Sequence, residues 1–350
     1  MSSSSVFDVQ IARTVDEIGQ AAWDYLAGDR PFASYRWYRF GEAISAADKP
    51  VYIVLSHQGE PVARATFWIM RDMPLPIPSR IARYLMEALF RRRPVLLCQS
   101  PWWSVGPGLI LPDPPLHDAA LAAIIRAAWD QAQQRPVSFL AFDYLEPRQA
   151  EWAGWPDMFM PSFDAEPGTR LVIAWPDFES YMRSWSGPTR KHYRQRCKHA
   201  AERNIQVRRH SAAVALDEAL VLMRNVERRH DAAHNAWIRP VLENASLVDA
   251  TWLTAEIDGR LVGCELLIGD GAARLLTFLG LDYSVQYVYF QLFYEGIQCA
   301  IEEGAHTLEG SSAAYELKQQ LGFQLECNNL LRVAATNRAL RWIGRQLSGT

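Results

Sequence analysis

The sequence predicts a mixed α+β protein built from two tandem copies of one unit. The chain has 350 residues, 49% of them hydrophobic and 13 of them Trp, which suits two domains that each form their own core. Both halves show the same order of helices, hairpin, long helix and strand. The hairpins also align, with HQGEPVA at 57–63 against IDGRLVG at 257–263. This regularity favours an internal duplication, with domains at residues 1–165 and 166–350.

The first half predicts helices and strands in an order that the second half repeats. The helices have apolar residues at helical spacing and span residues 14–26, 31–44 and 116–133. The strands either alternate apolar with polar residues or are apolar throughout, and they span residues 51–55, 61–69, 94–100 and 137–144. The Pro-rich and then basic stretch 71–93 is left unassigned, and residues 102–115 predict an aromatic-lined loop followed by a short strand.

The second half predicts a longer set of elements of the same kinds. Its helices span residues 189–203, 215–230, 287–303 and 313–321. Its strands span residues 251–257, 261–268, 272–281, 306–309 and 323–334. Asp258-Gly259 is a strong turn signal between the first two strands, which therefore form a hairpin.

The helix at 189–203 lies in a concentrated basic segment. Between Arg183 and Arg209 there are nine basic residues and one acid, Glu202, whereas the whole chain has a formal net charge of −3. Solvated helices usually interleave acids with bases, because like charges one turn apart repel. The segment therefore favours a phosphate or RNA site over a solvated surface, which is the alternative. The predicted binding residues are Arg190, Lys191, Arg194, Arg196 and Lys198.

Other patterns exclude several classes of site. The five cysteines are scattered and form no CxxC pair, which argues against a disulfide framework and a thiolate zinc site. Glu227, His230 and His234 have the spacing of a helical metal site, but no third ligand is evident. We expect no metal and no cofactor.

The sequence also predicts where the protein acts. The N-terminus MSSSSVFDVQ lacks the basic and apolar regions of a signal peptide. No apolar run approaches the 18 or so residues of a membrane span. We therefore expect a cytoplasmic protein with no integral membrane segment.

This order of elements resembles the GNAT acyltransferase fold, and two copies in one chain resemble the FemABX family and its CelD/BcsL-like relatives. TRKHYRQRCKHAAERNI at 189–205, the Asp258-Gly259 hairpin and GSSAAYELKQQLGF at 310–323 carry the resemblance. The last stretch is similar to the family's G…YK…G-F ending. The resemblance covers most of residues 166–335, and residues 30–160 by element order alone. It implies transfer of an aminoacyl group from aminoacyl-tRNA to an amine, although other relatives use acyl thioesters.

Two turns bear on the choice of donor. GNAT enzymes that use acyl-CoA hold its pyrophosphate on backbone N–H groups of a Gly-rich turn at a helix N-terminus. LDYSVQYVYF at 281–290 contains no glycine, and Pro107 interrupts Val105-Gly106-Pro107-Gly108 with a residue that has no N–H. Both turns favour tRNA as the donor, held by the domain at 166–350, with the acceptor on the domain at 1–165.

The resemblance also implies roles for residues near the end of the second half. Lys318 matches the family's lysine, which lies beside the 3′ end of the donor and could stabilise negative charge at the acyl carbon. Tyr315 could donate a hydrogen bond to the oxyanion or simply pack. Glu309 is the best carboxylate for deprotonating the acceptor amine, with helix capping as its alternative role.

Four further residues have predicted binding roles. Asp282 and Tyr283 begin the loop that replaces the CoA turn and could contact the α-amino group of the donor. Trp102 and Trp103 could line an acceptor pocket or pack in a core.

Three functions remain open at this point. The first is an aminoacyl-tRNA-dependent aminoacyltransferase that forms an amide on a cell-wall precursor or a small natural-product scaffold. The second is an N-acyltransferase that uses acyl-CoA or a carrier-protein thioester. The third is a non-catalytic RNA-binding module on a decayed acyltransferase scaffold.

Overall fold

The computed structural model describes residues 6–45, 50–71, 84, 88–101, 106–232 and 234–337. The chain forms two compact units, Met1–Glu166 with Cys327–Thr350, and Pro167–Glu326. The second unit therefore ends earlier than the predicted domain 166–350. Strand Leu330–Ala335 pairs with Phe139–Leu145 of the first unit. The sequence did not predict this pairing, because the alternation that identifies a strand does not specify the sheet that the strand joins.

The first unit is a mixed sheet covered by helices. The helices are α1 (Gln20–Ala27), α2 (Tyr35–Ile44), α3 (His117–Gln133) and α4 (Pro147–Ala150). The strands are β1 (Asp8–Ala12), β2 (Val51–His57), β3 (Glu60–Met70), β4 (Val95–Cys98), β5 (Leu109–Ile110), β6 (Phe139–Leu145), β7 (Phe163–Asp164) and β15 (Leu330–Ala335). They lie in the order β1-β2-β3-β4-β6-β15-β7, and β5 pairs with β3.

The first unit contains the predicted hairpin, β2 and β3, and a parallel pair, β4 and β6. The predicted helix at 14–26 is instead a 3-10 turn, Val15–Glu17, followed by α1. Gly19 separates them because its φ of +89° is incompatible with a continuous helix. The buried faces of α3, β2, β3 and β6 supply most of the core.

The second unit is a seven-stranded sheet with helices packed on it. Its helices are α5 (Phe178–Ser184), α6 (Gly187–Glu202), α7 (Leu216–Arg229), α8 (Ile238–Asn244), α9 (Val288–Glu302) and α10 (Tyr315–Gln320). Its strands are β8 (Thr169–Val172), β9 (Gln206–His210), β10 (Asp249–Ile257), β11 (Arg260–Asp270), β12 (Ala273–Leu281), β13 (Thr307–Glu309) and β14 (Gln324–Leu325). They lie in the order β14-β8-β13-β12-β11-β10-β9. The amphipathic helix α9 packs its apolar face on the sheet.

The sheet of the second unit opens between β12 and β13. These strands pair in parallel from Ala273↔Thr307 to Leu275↔Glu309. Beyond that point β12 continues to Leu281, whereas the chain turns away after β13. The register of β11 against β12 also shifts in this region, and Phe278 has a φ of +52°. These irregularities separate the strands and leave room for a cavity.

Across the described ranges, from residue 6 to residue 337 with their gaps, every helix is too short or too polar to cross a membrane.

Candidate active site

A cavity of about 650 Å³ occupies the opening between β12 and β13. Its walls are the second half of β12, the turn at 310–314 and the first turns of α9. Most of the lining is apolar, including Leu276, Phe278, Leu279, Leu281, Tyr289 and Phe293. Five ionisable side chains also line it, those of Glu265, Lys318, His230, Tyr283 and Tyr289.

Glu265, on β11, is a buried carboxylate with an unused acceptor. Its side chain is 5% exposed, and Oε2 has no hydrogen-bond partner among the described residues. Burial raises the pKa of Glu265 to about 8, and the charge of Lys318 acts in the opposite direction. An unpartnered buried carboxylate costs stability, so its presence in a cavity suggests a ligand.

Lys318, on α10, is also buried and lines the same cavity. Its Nζ donates hydrogen bonds to the carbonyl oxygens of Gly310, Ser311 (3.1 Å) and Ser312 (3.4 Å). An ammonium group has three N–H donors, so all of them are used. Burial lowers the pKa of Lys318 to about 8, and Glu265 raises it. Lys318 therefore fixes the turn and contributes its charge to the cavity.

Tyr283 and His230 lie together on the cavity lining. The Tyr283 hydroxyl and His230 Nε2 are 3.2 Å apart and share a hydrogen bond. Asp282 has other partners, because its carboxylate accepts hydrogen bonds from the Ser284 hydroxyl at 2.6 Å and from Arg260 at 2.8 Å. These two interactions, in that order, hold the pKa of Asp282 below its usual value. Of the two predicted donor contacts, Tyr283 alone reaches this cavity.

Glu309 and Tyr315 point elsewhere. Glu309 accepts a 2.6 Å hydrogen bond from Arg170, which also pairs with Glu326 at 2.6 Å. Burial, followed by the charge of Glu326, raises the pKa of Glu309 to about 8. The Tyr315 hydroxyl donates to the Pro167 carbonyl at 2.9 Å. Neither residue lines the cavity. The carboxylate that lines the cavity belongs to Glu265.

Sequence reasoning missed Glu265, although a signal was present. The strand LVGCELLIG at 261–269 is apolar except for this one acid. An acid in the middle of a buried strand is costly unless it has a partner or a function.

The basic helix α6 begins at a serine cap. The Ser186 side chain accepts a hydrogen bond from the Thr189 backbone N–H, as N-cap residues typically do. Lys191 and Arg194 are exposed, and Lys198 is exposed beside Glu202 at 3.9 Å. These three cations can bind an anion from solvent.

The other two predicted cations are part of the packing. Arg190 donates to the carbonyl oxygens of Arg183 and Trp185 and so supplies hydrogen-bond donors to backbone carbonyls at the C-terminal end of α5. Arg196 lies 3.8 Å above the Phe290 ring and donates to the Tyr294 hydroxyl at 2.8 Å. Arg190 therefore stabilises the helix junction, and Arg196 attaches α6 to α9.

A pocket of about 230 Å³ lies between α6 and the start of α9, lined by His192, Gln195, Arg196, His199 and Tyr287. A shallow groove of about 410 Å³, lined by residues from 281 to 290, shares Tyr287 with this pocket. The same groove shares Leu281, Tyr283 and Tyr289 with the large cavity. The loop between β12 and α9 therefore contributes to the walls of the cavity, the groove and the pocket beside α6.

The remaining predicted residues are placed as follows. Trp102 and Trp103 lie outside the described residues. His234 contacts Arg224, which also forms a 2.6 Å ion pair with Glu227. Within the part of the chain that the structure describes, no three His, Cys, Asp or Glu residues are grouped to hold a metal ion.

Comparisons with solved structures identify the fold. FemX matches with a TM-score of 0.61 and 10% identity, over 97% of this chain and 99% of that one. A tandem GNAT protein from the clavulanic acid biosynthesis pathway, solved without AcCoA, matches with a TM-score of 0.56 and 12% identity, over 94% and 99%. The C-terminal domain of a putative lysylphosphatidylglycerol synthetase from Agrobacterium fabrum gives 0.51 and 11%, over 93% and 94%. The predicted tandem GNAT fold is confirmed.

Sequence comparisons identify the family. No curated protein sequence matches the chain. A family model described as FemAB-like, peptidoglycan biosynthesis/recognition, matches residues 14–345. The chain therefore belongs to the FemAB-like family.

Proposed function

We propose that the protein is an aminoacyl-tRNA-dependent transferase that forms an amide bond on an amine acceptor. One observation carries this proposal. The cavity that Glu265 and Lys318 line and the pocket beside α6 each share lining residues with one groove at residues 281–290, so both are bordered by the same stretch of chain. This arrangement suits a donor whose small reactive end enters the cavity and whose long polyanionic body binds the basic helix.

The basic helix supports a nucleic-acid donor. The exposed ammonium of Lys191 and guanidinium of Arg194 suit phosphates. Tyr287 stacks on His199, with ring centroids 5.3 Å apart, and Arg203 lies 5.0 Å above the Tyr287 ring. Aromatic and guanidinium faces also stack on unpaired bases, such as those at the 3′ end of a tRNA.

The transfer step needs positioning and electrostatic stabilisation. The amine nitrogen attacks the ester carbonyl, a C–N bond forms and the ester C–O bond breaks. The proton of the attacking nitrogen passes to the departing ribose oxygen, directly or through water. The positive charge of Lys318 stabilises the oxyanion that develops at the carbonyl. The turn at 310–312, which Lys318 fixes, keeps that charge in place.

The family suggests the acceptor. A family described by peptidoglycan biosynthesis/recognition is consistent with the amine of a peptidoglycan precursor, and a small natural-product scaffold is the second possibility. We assign the donor to the unit Pro167–Glu326 and the acceptor to the other unit. Both substrates would meet the protein in the cytoplasm.

A thioester-dependent N-acyltransferase is the second candidate. The apolar lining of the cavity favours it, because an acyl chain would pack on Leu276, Phe278 and Phe293. A buried carboxylate without a partner argues against it, because an acyl chain offers Glu265 no cation. The loop at 281–290 also lacks the glycines of a pyrophosphate turn.

Direct binding tests distinguish these candidates. Fluorescence anisotropy would compare labelled total tRNA with labelled CoA over a range of salt concentrations. We expect tRNA to bind, with an affinity that falls steeply as salt increases. Tight CoA binding without tRNA binding would select the thioester reaction and overturn the proposal. tRNA binding with no transfer to any amine would indicate an RNA-binding module.

A further inference from the structure

The carboxylate of Glu265 lacks a partner in a cavity that is otherwise mostly apolar. Its side chain is 5% exposed and its Oε2 accepts no hydrogen bond from the described residues. The cation that lines the same cavity, Lys318, directs its three N–H donors to backbone carbonyls. Glu265 therefore lines the space where a ligand would bind and has an unused acceptor in its carboxyl group.

We propose that Glu265 binds the α-ammonium group of the amino acid carried by the donor, and that the apolar wall around it accepts an apolar amino-acid side chain. This inference rests on the proposed function and deepens it by naming the class of donor. A cation that donates hydrogen bonds to a buried carboxyl group stabilises its ionised form, so binding of the ammonium favours release of the proton that burial keeps on Glu265 near pH 7. The α-ammonium group is present in every aminoacyl ester and absent from acyl thioesters of fatty or acetyl type.

The position of Glu265 relative to Lys318 fits this assignment. The α-amino group is attached to the carbon next to the reacting carbonyl. A site that holds the ammonium on Glu265 therefore keeps the carbonyl in the part of the cavity where the charges of Glu265 and Lys318 interact, so that the charge of Lys318 stabilises the oxyanion. Glu265 is in this account a substrate-binding residue that selects aminoacyl over acyl donors.

The surrounding walls set the side-chain class. Leu276, Leu279, Leu281 and Phe293 present hydrocarbon to the cavity, and Phe278 and Tyr289 present aromatic rings. An acidic side chain would be desolvated beside Glu265 without compensation. Aliphatic or aromatic amino acids are therefore favoured, and aspartyl and glutamyl esters are excluded.

The test measures protection of aminoacyl esters against hydrolysis. The probe is total tRNA charged with the twenty amino acids, in free form and after N-acetylation, which removes the α-ammonium charge. We expect the full-length protein to slow hydrolysis of esters of apolar amino acids, and N-acetylation to weaken that protection at least tenfold. Glu265→Gln should bind free and N-acetylated forms equally. The control Glu326→Gln, which changes a carboxylate outside the cavity, should behave like the wild type.

Three results would overturn the inference. A Glu265→Gln protein that still discriminates between free and N-acetylated esters would place the ammonium elsewhere. Selective protection of acidic or strongly polar esters would contradict the role of the apolar wall. Failure of the wild type to bind any tRNA would overturn the proposed function together with the inference, and deacylated tRNA binding separates this case from the first two. Because Gln has the shape of Glu, circular dichroism and retained binding of deacylated tRNA verify the fold of the variant.

Discussion

Replacing Glu265 with Gln should stabilise the protein, and the gain should increase with pH. The ordinary pKa of a Glu side chain is 4.5, and burial raises that of Glu265 to about 8 in the folded protein. Between these values the folded state binds a proton that the unfolded state has released. The contribution of Glu265 to stability therefore falls as the pH rises from about 4.5 to 8.

The two pKa values set the size of the effect. A difference of about 3.5, at about 1.36 kcal/mol per pKa unit, corresponds to a cost of about 5 kcal/mol above pH 8. The same relation gives about 3 kcal/mol at pH 7 and under about 1 kcal/mol at pH 5. Removing Glu265 also removes the charge that supports protonated Lys318, so we expect a net gain of about 1–3 kcal/mol at pH 7.

Thermal unfolding measured by circular dichroism at several pH values tests this prediction. For a unit of this size, 1 kcal/mol shifts Tm by about 2–4 °C, so Glu265→Gln should raise Tm by roughly 2–12 °C at pH 7 and much less at pH 5. Glu218→Gln, on the exposed face of α7, is the control and should change stability by under about 0.5 kcal/mol. A Tm difference that is the same at pH 5 and pH 7.5 would refute the account of Glu265 as a carboxylate destabilised by burial.

Four further predictions follow from the structure. Lys191→Ala and Arg194→Ala should each weaken tRNA binding and reduce the slope of log K against log salt by about 1. Anisotropy titrations measure that slope, and an unchanged value would remove the residue from the interface. Lys318→Met should lower turnover at least tenfold and stability by about 1–3 kcal/mol, because three carbonyls lose their donor; normal single-turnover kinetics would contradict the role of its charge. Tyr315→Phe should cost about 1 kcal/mol in denaturant unfolding, since it loses the bond to Pro167, and no loss would argue against that bond. Deleting residues 327–350 should expose the edge of β6 and make the first unit more sensitive to protease than it is in the full-length protein. Equal protease resistance of the two proteins would instead favour the predicted domain 166–350.

Element order was predictable because it depends on local patterns. The hairpin strands are rich in apolar residues and are joined by turns that contain glycine, and the long helices have apolar residues at helical spacing. Both hairpins, and the helices α3, α6, α7 and α9, therefore follow from the sequence within a few residues at their ends. The destination of β15 did not, because pairing with β6 is a contact over nearly two hundred residues.

The site was predictable only in part, because burial and side-chain direction depend on tertiary structure. Lys318 follows from the family motif and lines the cavity. Glu309 ends strand β13 just before the turn at 310–314, but its carboxylate pairs with Arg170 on the neighbouring strand β8. Arg196 belongs to the basic stripe in sequence and to the packing of α9 in the structure. Charge patterns identify a basic helix without showing which of its cations have partners.

The most direct test of the central claim needs no acceptor. Total tRNA charged with radiolabelled amino acids would be mixed with the purified protein, and ester hydrolysis followed for each amino acid with and without protein. The account predicts selective protection of one ester or a small group of apolar esters. Uniform hydrolysis of all esters, with no tRNA binding at moderate salt, would contradict an aminoacyl-tRNA donor.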